Sequence, residues 1–240
     1  YNFGDTIEAF ANTYKVEPAL LDKGKYRNVT GNLATAWGFL AASERSDCNI
    51  FLGSYPITPA SEILQEISKH KEFNAISFQA EDEIAGIVST IGASFTGALA
   101  ITTTSGPGLS LKSEAIGLAV MTELPIVIVD VQRGGPSTGL PTKSEQSDLM
   151  QALYGRNGEA PVIILAASSA SDCFYSAFNA SKLALEHMTP VILLTDGSIA
   201  NGSEVFKIPK VKDLPEIKPP IVEANDKTYK PYARDDEKLS

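Results

Sequence analysis

The sequence predicts an α/β protein whose sheet is doubly wound, mostly parallel and about six strands wide, with helices on both faces. Short apolar runs alternate with longer segments of helical periodicity, and no hairpin signal joins two of the runs. Parallel strands need long crossover connections, which are usually helices, and strands covered on both faces read as unbroken apolar runs. This alternation therefore indicates a parallel sheet buried between helices.

The elements are expected in order from residue 30 onward. Thr30 or Asn32 can cap a first helix, which should end near residue 45, where the apolar stripe stops. Strands are expected at 49–52, 75–78, 98–101, 125–131, 162–165 and 191–194. Helices are expected between them at 60–70, 81–94, 109–123, 145–154 and 171–187. Pro59 can occupy the first turn of the second helix, where its missing N–H is no loss.

Three parts are expected along the 240 residues. Residues 31–206 form the α/β domain. Residues 1–30 have little apolar rhythm and read as a lead-in or linker from an upstream domain, which a start on Tyr1 rather than Met favours. Residues 207–240 are rich in Lys, Pro, Asp and Glu, so they bury little apolar surface and read as a linker or tail towards a downstream domain.

The composition argues against several classes of function. A formal net charge of −9 disfavours nucleic acid and anionic membrane as partners, since both attract basic surfaces. There is no signal-peptide pattern, and no apolar run approaches the ~18 residues of a membrane span. Cys48 and Cys173 suit a reducing cytoplasm, and two thiols are too few for an iron–sulfur cluster. No metal-ligand spacing is present, so no metal is expected in this chain.

A proline-rich loop follows the strand expected at 49–52 and reads Gly-Ser-Tyr-Pro-Ile-Thr-Pro-Ala-Ser over residues 53–61. Its two prolines fix φ and remove two backbone donors, which makes the loop stiff. Thr58 is thereby presented at the carboxyl end of a strand, where open α/β sheets bind ligands. The alternative is a strand-to-helix turn that has no ligand.

Two further loops follow strands. Residues 102–108 read Thr-Thr-Thr-Ser-Gly-Pro-Gly, so a ligand could approach the backbone closely, although the Gly-Lys-Ser/Thr ending of a Walker A loop is absent. Residues 132–143 read Gln-Arg-Gly-Gly-Pro-Ser-Thr-Gly-Leu-Pro-Thr-Lys and follow the most apolar of the expected strands. Arg133 can bind a carboxylate through two parallel hydrogen bonds.

An acidic stretch opens the helix expected at 81–94 and reads Gln-Ala-Glu-Asp-Glu-Ile-Ala-Gly from residue 79. Acidic residues are ordinary in a first helical turn, where they complement the helix dipole. A functional hypothesis is that one carboxylate is buried among Ile84, Ala85 and Ile87 and stays partly protonated. The spacing leaves both Glu81 and Glu83 open as that carboxylate.

Together these motifs resemble those of the 2-oxoacid:ferredoxin oxidoreductases, which are thiamine-diphosphate enzymes. These enzymes decarboxylate a 2-oxoacid onto coenzyme A and pass electrons to ferredoxin. The similarity runs from about Gly31 to about Glu204 and is with the pyrimidine-binding domain of the alpha subunit, most like the 2-oxoglutarate type. A pyruvate, branched-chain or indolepyruvate type stays open, as does a non-catalytic assembly module on the same thiamine-diphosphate-binding fold.

The resemblance implies roles for individual residues. Glu83, with Glu81 as the alternative, would favour the tautomer of the cofactor that removes the thiazolium proton. Arg133 and Thr58 would hold the carboxylate of the oxoacid. Further substrate contacts are expected from Thr138, Thr142 and Lys143. Contacts to the cofactor are expected from Tyr55, Pro56, Ile57, Glu83, Thr104, Ser105 and Gly106.

The resemblance also implies a partner. In this class of enzyme a Gly-Asp-Gly motif followed by Asn-Asn anchors the diphosphate and Mg²⁺, and the nearest match here, Thr195-Asp196-Gly197, has no such continuation. A beta subunit is therefore expected to hold the diphosphate, the Mg²⁺ and the iron–sulfur cluster, and this chain alone is expected to be inactive. The isolated chain could form a homodimer through apolar helix faces made for the partner.

Overall fold

The computed structural model describes residues 2–7, 14–220, 228 and 230. Eight strands lie in this part of the chain: β1 Tyr26–Thr30, β2 Ile50–Ser54, β3 Ile76–Gln79, β4 Leu99–Thr104, β5 Ile126–Gln132, β6 Ile163–Ala166, β7 Val191–Asp196 and β8 Ser203–Lys207. The α-helices are α1 Asn2–Thr6, α2 Gly31–Ser46, α3 Ser61–Ile67, α4 Glu83–Phe95, α5 Gly106–Leu111, α6 Ser113–Met121, α7 Leu149–Tyr154, α8 Asp172–His187 and α9 Gly197–Asn201. Short 3-10 helices cover Lys71–Phe73 and Val211–Asp213. Most of the expected tail beyond residue 220 lies outside the described residues.

The main sheet has six strands in the order β3-β2-β4-β5-β7-β6, and every neighbouring pair is parallel. The predicted α/β fold with a parallel sheet and helices on both faces is therefore confirmed. The register places Thr104 opposite Asp130 and Gln132 opposite Asp196, so the carboxyl ends of β4, β5 and β7 lie along one edge. The strands β1 and β8 form a separate antiparallel pair that the apolar pattern did not predict.

Several helix boundaries differ from the expected ones, for local reasons. The side chain of Thr30 caps α2 by accepting the N–H of Leu33, as predicted. Helix α3 begins at Ser61 rather than at residue 60, because the N–H groups of Ala60 and Ser61 both bond the carbonyl of Ile57 in a tight turn. Pro59 therefore precedes the helix instead of starting it.

Three further helices also differ from the expected ones. Helix α4 begins at Glu83 because the side chain of Asp82 accepts the N–H of Ala85 and caps it. The helix expected at 109–123 is two helices that meet at Lys112, and the one expected at 145–154 is only α7. In the latter segment residues before 148 belong to the loop that leaves β5, which a local pattern does not reveal.

The two faces of the sheet carry separate apolar clusters. The face covered by α2, α3 and α8, here called the closed face, buries large side chains such as Phe39 and Phe178. Helices α2 and α8 pack closely, since a Cβ at Gly38 would collide with the carbonyl of Phe174. The face covered by α4, α5, α6 and α7, here called the open face, holds a smaller cluster around Ile87 and Ile128. Within the described residues no helix is both long and apolar enough to cross a membrane.

Candidate active site

The three loops singled out in the sequence lie side by side at one edge of the sheet. They leave the carboxyl ends of β2, β4 and β5, which are adjacent strands. The start of α4, which follows the neighbouring strand β3, joins them. This is the edge where parallel α/β sheets bind ligands, because the connections on either side leave a crevice there.

Tyr55 links the first two loops. Its ring is buried, and its hydroxyl lies 2.8 Å from Oγ1 of Thr104 in a hydrogen bond. Burial raises the pKa of the Tyr55 hydroxyl, the bond to Thr104 opposes that rise, and the nearby Glu83 carboxylate adds to it. Tyr55 therefore stays a neutral hydrogen-bond donor at physiological pH.

A glycine allows three predicted residues to converge. A Cβ at Gly108 would collide with Oγ1 of Thr104 and the hydroxyl of Tyr55, and it would lie 3.0 Å from Cγ of Glu83. The two loops and the start of α4 thus meet at a backbone position that only glycine fits. Three of the residues assigned to the cofactor by resemblance, Tyr55, Thr104 and Glu83, form one cluster.

The environment of Glu83 differs from the expected one. Ile84 and Ala85 are exposed and only Ile87 is buried, so the prediction of a carboxylate enclosed by these three side chains is wrong. The reason is the start of α4, which turns positions 84 and 85 towards solvent. Glu83 is half-buried and lies beside Tyr55 instead, whereas Glu81 is exposed at the end of β3.

Lys112 is a site residue that the sequence reasoning missed. It is fully buried at the junction of α5 and α6, and Nζ donates to the carbonyl of Glu83 at 2.7 Å and to Oγ1 of Thr102 at 3.1 Å. The ammonium also lies 5.2 Å from the ring centroid of Tyr55, within range of a cation–π contact.

The environment of Lys112 changes its protonation. Burial lowers the pKa of Lys112 to about 7, although the negative charges of Glu83 and Asp82 oppose that shift. A signal was present in the sequence, since residues 109, 112 and 116 fall on one stripe of the expected helix and the other two are apolar.

Arg133 fastens the proline-rich loop to the loop after β5. The residue is buried, and its Nη1 and Nη2 groups donate to the carbonyls of Thr58 and Thr138, each at 2.7 Å. The side chains of both threonines are exposed. Nε of Arg133 is buried and has no acceptor among the described residues. The structure therefore brings the predicted trio together, through main-chain oxygens of the threonines.

The loop after β5 forms one wall of a cavity of about 700 Å³. Its lining includes Arg133, Thr138, Gly106 and Asp148. Thr142 and Lys143 are exposed further along the loop, where the N–H of Gly134 bonds the carbonyl of Lys143 at 2.7 Å. They are not part of the lining of this cavity.

The remaining predicted positions lie around this cluster. Pro56 is exposed and Ile57 is half-buried in the proline-rich loop. Ser105 and Gly106 are buried at the end of β4, and the hydroxyl of Ser105 has no hydrogen-bond partner within the described part of the chain.

The fold and the loops define a ligand-binding α/β domain whose site lies on the exposed carboxyl edge of a parallel sheet. The chain belongs to the family described as Pyruvate flavodoxin/ferredoxin oxidoreductase, thiamine diphosphate-binding, which it matches over residues 42–239. This confirms the resemblance drawn from the motifs.

Individual relatives agree with the family. The chain is 58% identical over 240 residues to the 2-oxoglutarate oxidoreductase subunit KorA of Mycobacterium tuberculosis, covering 100% of this chain and 37% of that protein. It is 44% identical over 187 residues to the 2-oxoglutarate synthase subunit KorA of Archaeoglobus fulgidus, covering 78% and 53% respectively. The chain therefore spans between about a third and half of the length of these relatives.

A solved structure gives the same picture. The 2-oxoglutarate:ferredoxin oxidoreductase from Magnetococcus marinus, with 2-oxoglutarate, coenzyme A and succinyl-CoA bound, is 40% identical in sequence and superposes with a TM-score of 0.83. The match covers 89% of this chain and 36% of that one. The fold predicted from the sequence is thus the fold of a solved member of this class.

Proposed function

We propose that this chain forms the pyrimidine side of the active site of a 2-oxoacid:ferredoxin oxidoreductase that converts 2-oxoglutarate to its acyl-coenzyme A product. The observation that carries the proposal is the cluster of Tyr55, Glu83 and Thr104 beside the buried guanidinium of Arg133, at the edge of the sheet. The names of the relatives favour 2-oxoglutarate as the oxoacid. Pyruvate, branched-chain and indolepyruvate substrates are the alternatives that the test must separate.

The residues present fit the pyrimidine end of thiamine diphosphate. The hydroxyl of Ser105 has no partner in the described part of the chain, and Gly108 lets the hydroxyls of Tyr55 and Thr104 and the side chain of Glu83 gather around it, so polar groups collect at the end of β4. When bound, the cofactor supplies a thiazolium carbon that attacks the oxoacid and an electron sink for the loss of carbon dioxide. The carboxylate of Glu83 would face the ring nitrogen of the pyrimidine and exchange a proton with it, and Tyr55 would keep that carboxylate in place.

Arg133 would hold the carboxylate of the oxoacid. Two of its five N–H groups already bond the carbonyls of Thr58 and Thr138, so the guanidinium is fixed in orientation before any substrate arrives. Nε is buried without an acceptor in the described part of the chain and is available for a carboxylate oxygen. Thr138, Thr142 and Lys143 lie on the same loop, and the charge of Lys143 suits the second carboxylate of 2-oxoglutarate.

A beta subunit would complete the site. It would hold the diphosphate and Mg²⁺ and carry the iron–sulfur cluster that passes electrons to ferredoxin. The open face supports such a partner, since its helices expose Phe95, Met121 and Tyr154. The two cysteines are free and buried, which is consistent with a complex that works in the cytoplasm.

The test uses the full-length subunit assembled with its partner and measures ferredoxin reduction that depends on 2-oxoglutarate and coenzyme A. We expect Glu83→Gln to lower kcat by about 10²-fold or more, because the amide cannot exchange a proton with the ring nitrogen. Glu81→Gln should have a much smaller effect, and Glu159→Gln, in an exposed loop, serves as the matched control.

The other outcomes are equally informative. A large loss in Glu81→Gln with little effect of Glu83→Gln would assign the activating role to Glu81. Full turnover in both variants would instead favour a non-catalytic assembly module. A higher kcat/KM for pyruvate, a branched-chain oxoacid or indolepyruvate than for 2-oxoglutarate would contradict the proposed substrate.

A further inference from the structure

Two carboxyl groups face each other beneath the cavity wall. Asp130, near the end of β5, is fully buried, and Asp148, just before α7, is nearly so. Their side chains lie within hydrogen-bonding distance of each other. Within the described residues no other group donates a hydrogen bond to either oxygen of Asp130 or to Oδ2 of Asp148. A buried carboxyl group with no donor other than a second carboxyl group needs a proton between the two.

Among the described residues, no cation acts on the pair and removes that need. Within that part of the chain, the only charged group outside the pair that acts on it is Glu145, which is negative. Lys112 bonds Glu83 and Thr102, and Arg133 bonds Thr58 and Thr138, so both cations are engaged elsewhere.

The pKa of each of the two acids is raised overall, and burial is the main cause for both. Burial and the charge of Asp148 raise the pKa of Asp130. Burial also raises the pKa of Asp148, the hydrogen bond to Asp130 opposes that rise, and the charge of Glu145 adds to it.

We propose that Asp130 and Asp148 share one proton and that this acid pair is a positioning device for Arg133. The pair fastens the returning end of the loop 133–148 to β5, from which the loop departs. The role assigned to Arg133 rests on the proposed function, whereas the shared proton does not.

The hydrogen bonds of the loop show why the pair is placed to do this. The N–H of Asp148 donates to Oε1 of Gln132 at 2.9 Å, and Nε2 of Gln132 donates to the carbonyl of Thr195 at 3.0 Å. Further out, the N–H of Gly135 bonds Oε2 of Glu145 at 2.8 Å. The contact between the two acids is the innermost of these interactions and ties the loop to Asp130 inside the sheet.

The same carboxyl group borders the cavity. A Cβ at Gly106 would lie 2.8 Å from Oδ2 and 3.0 Å from Oδ1 of Asp148, so this carboxyl packs against the loop after β4. Arg133 and Asp148 both line the cavity. A loop that separated from β5 at residue 148 would therefore change the wall in which Arg133 sits.

The first test is the pH dependence of thermal stability, measured on the full-length subunit assembled with its partner. Asp130→Asn can donate a hydrogen bond to Asp148 but has no proton to lose. An Asp whose pKa is raised by folding contributes stability that is fully present below about pH 4, which is the pKa of an unfolded Asp. This contribution is lost as the pH rises towards the raised pKa of the folded state. We therefore expect the Tm of Asp130→Asn, relative to that of the unmodified complex, to increase as the pH rises from about 5 towards the raised pKa of Asp130.

The matched control is Asp213→Asn, an exposed residue, whose Tm curve should run parallel to that of the unmodified complex. A constant Tm difference between Asp130→Asn and the unmodified complex over the same pH range would overturn the shared proton. This comparison needs no turnover, so it stands whether or not the proposed function holds.

The second test concerns positioning. Asp130→Leu removes the hydrogen bond at similar size, and we expect it to raise the KM for 2-oxoglutarate by about tenfold, while the concentration of thiamine diphosphate for half-maximal activity changes little. Asp130→Asn should recover most of that loss. An unchanged KM in Asp130→Leu, or an equal loss in both variants, would overturn the positioning role. If Asp130→Leu does not fold, the KM of Asp130→Asn as a function of pH decides, because it should vary less than that of the unmodified complex.

Discussion

The two faces of the sheet differ in what they bury. On the closed face, α2 and α8 pack along each other and enclose aromatic side chains such as Phe39 and Phe178. On the open face, α4, α5, α6 and α7 cover a smaller cluster and leave large apolar side chains in solvent, with Phe95 80% and Met121 76% exposed. The closed face is a well-packed hydrophobic core, whereas the open face exposes apolar surface of the kind that another chain covers.

The ionisable groups follow the same division. Lys112 and Asp130 are fully buried, and both lie on the open face of the sheet. At the margin of the closed face, by contrast, His70 and Glu66 form an ion pair that solvent still reaches. The closed face therefore contributes mainly stability, and the open face retains charged groups at the cost of some stability.

The largest expected effect is the loss of a core aromatic from the closed face. Phe178 is 2% exposed within the larger cluster, so Phe178→Ala should lower the free energy of unfolding by about 3–5 kcal/mol. The measurement is denaturant unfolding of the chain, followed by circular dichroism.

The matched control is Phe95→Ala on the open face. Its side chain is already exposed, so the unfolding free energy should stay within about 0.5 kcal/mol of that of the unmodified chain. Equal losses in the two variants would contradict the distinction between the faces.

A smaller effect, with a characteristic pH dependence, is expected at Lys112. Burial lowers its pKa to about 7 in the folded chain, against about 10.4 in an unfolded one. Between these values the unfolded chain holds a proton that the folded chain lacks, so stability should rise with pH by up to about 1.4 kcal/mol per unit. Lys112→Met lacks this contribution.

The difference in unfolding free energy between the unmodified chain and Lys112→Met should therefore change between about pH 7.5 and pH 9.5 in favour of the unmodified chain. Below about pH 7 the difference should be constant. Lys69→Met, a change of an exposed lysine, is the control and should give parallel curves. A flat difference for Lys112→Met over the whole range would show that the ammonium stays charged in the folded chain.

The sequence predicted the sheet well because buried parallel strands are continuous apolar runs. Each of the six expected strands overlaps one of the strands of the main sheet, and their alternation with helices implied parallel pairing. The pairing of β1 with β8 could not be predicted, since it joins residues about 180 positions apart and neither strand is strongly apolar. Pairings over such distances leave no local pattern.

The site was predictable in part. Each of the three loops was singled out because it follows an expected strand, and the resemblance assigned Tyr55, Thr104 and Arg133 to the site. The structure brings these loops to one edge of the sheet. The contacts were not, because they depend on tertiary packing. Nothing in the local pattern shows that Arg133 bonds main-chain carbonyls, or that Lys112 reaches the carbonyl of Glu83 from another helix.

The smallest expected effect is at His70, where the pH dependence has the opposite sign to that of Lys112. Burial lowers the pKa of His70, but hydrogen bonds to Glu72 and Glu66, 3.0 and 3.1 Å long, outweigh it and raise the pKa overall. A raised pKa gives a stabilising contribution that is present below about pH 6.5 and is lost as the pH rises through the folded value.

His70→Gln should therefore be less stable than the unmodified chain below about pH 6 and nearly equal to it above about pH 8. The difference should be about 1 kcal/mol or less, because solvent screens a partly exposed pair. His187→Gln, at the end of α8, is the control. If the stability of His70→Gln instead fell further below that of the unmodified chain as the pH rose, the pKa of His70 would be lowered overall, as that of Lys112 is. Ionisable groups would then destabilise the closed face as they destabilise the open face. The two faces would then differ only in their apolar packing.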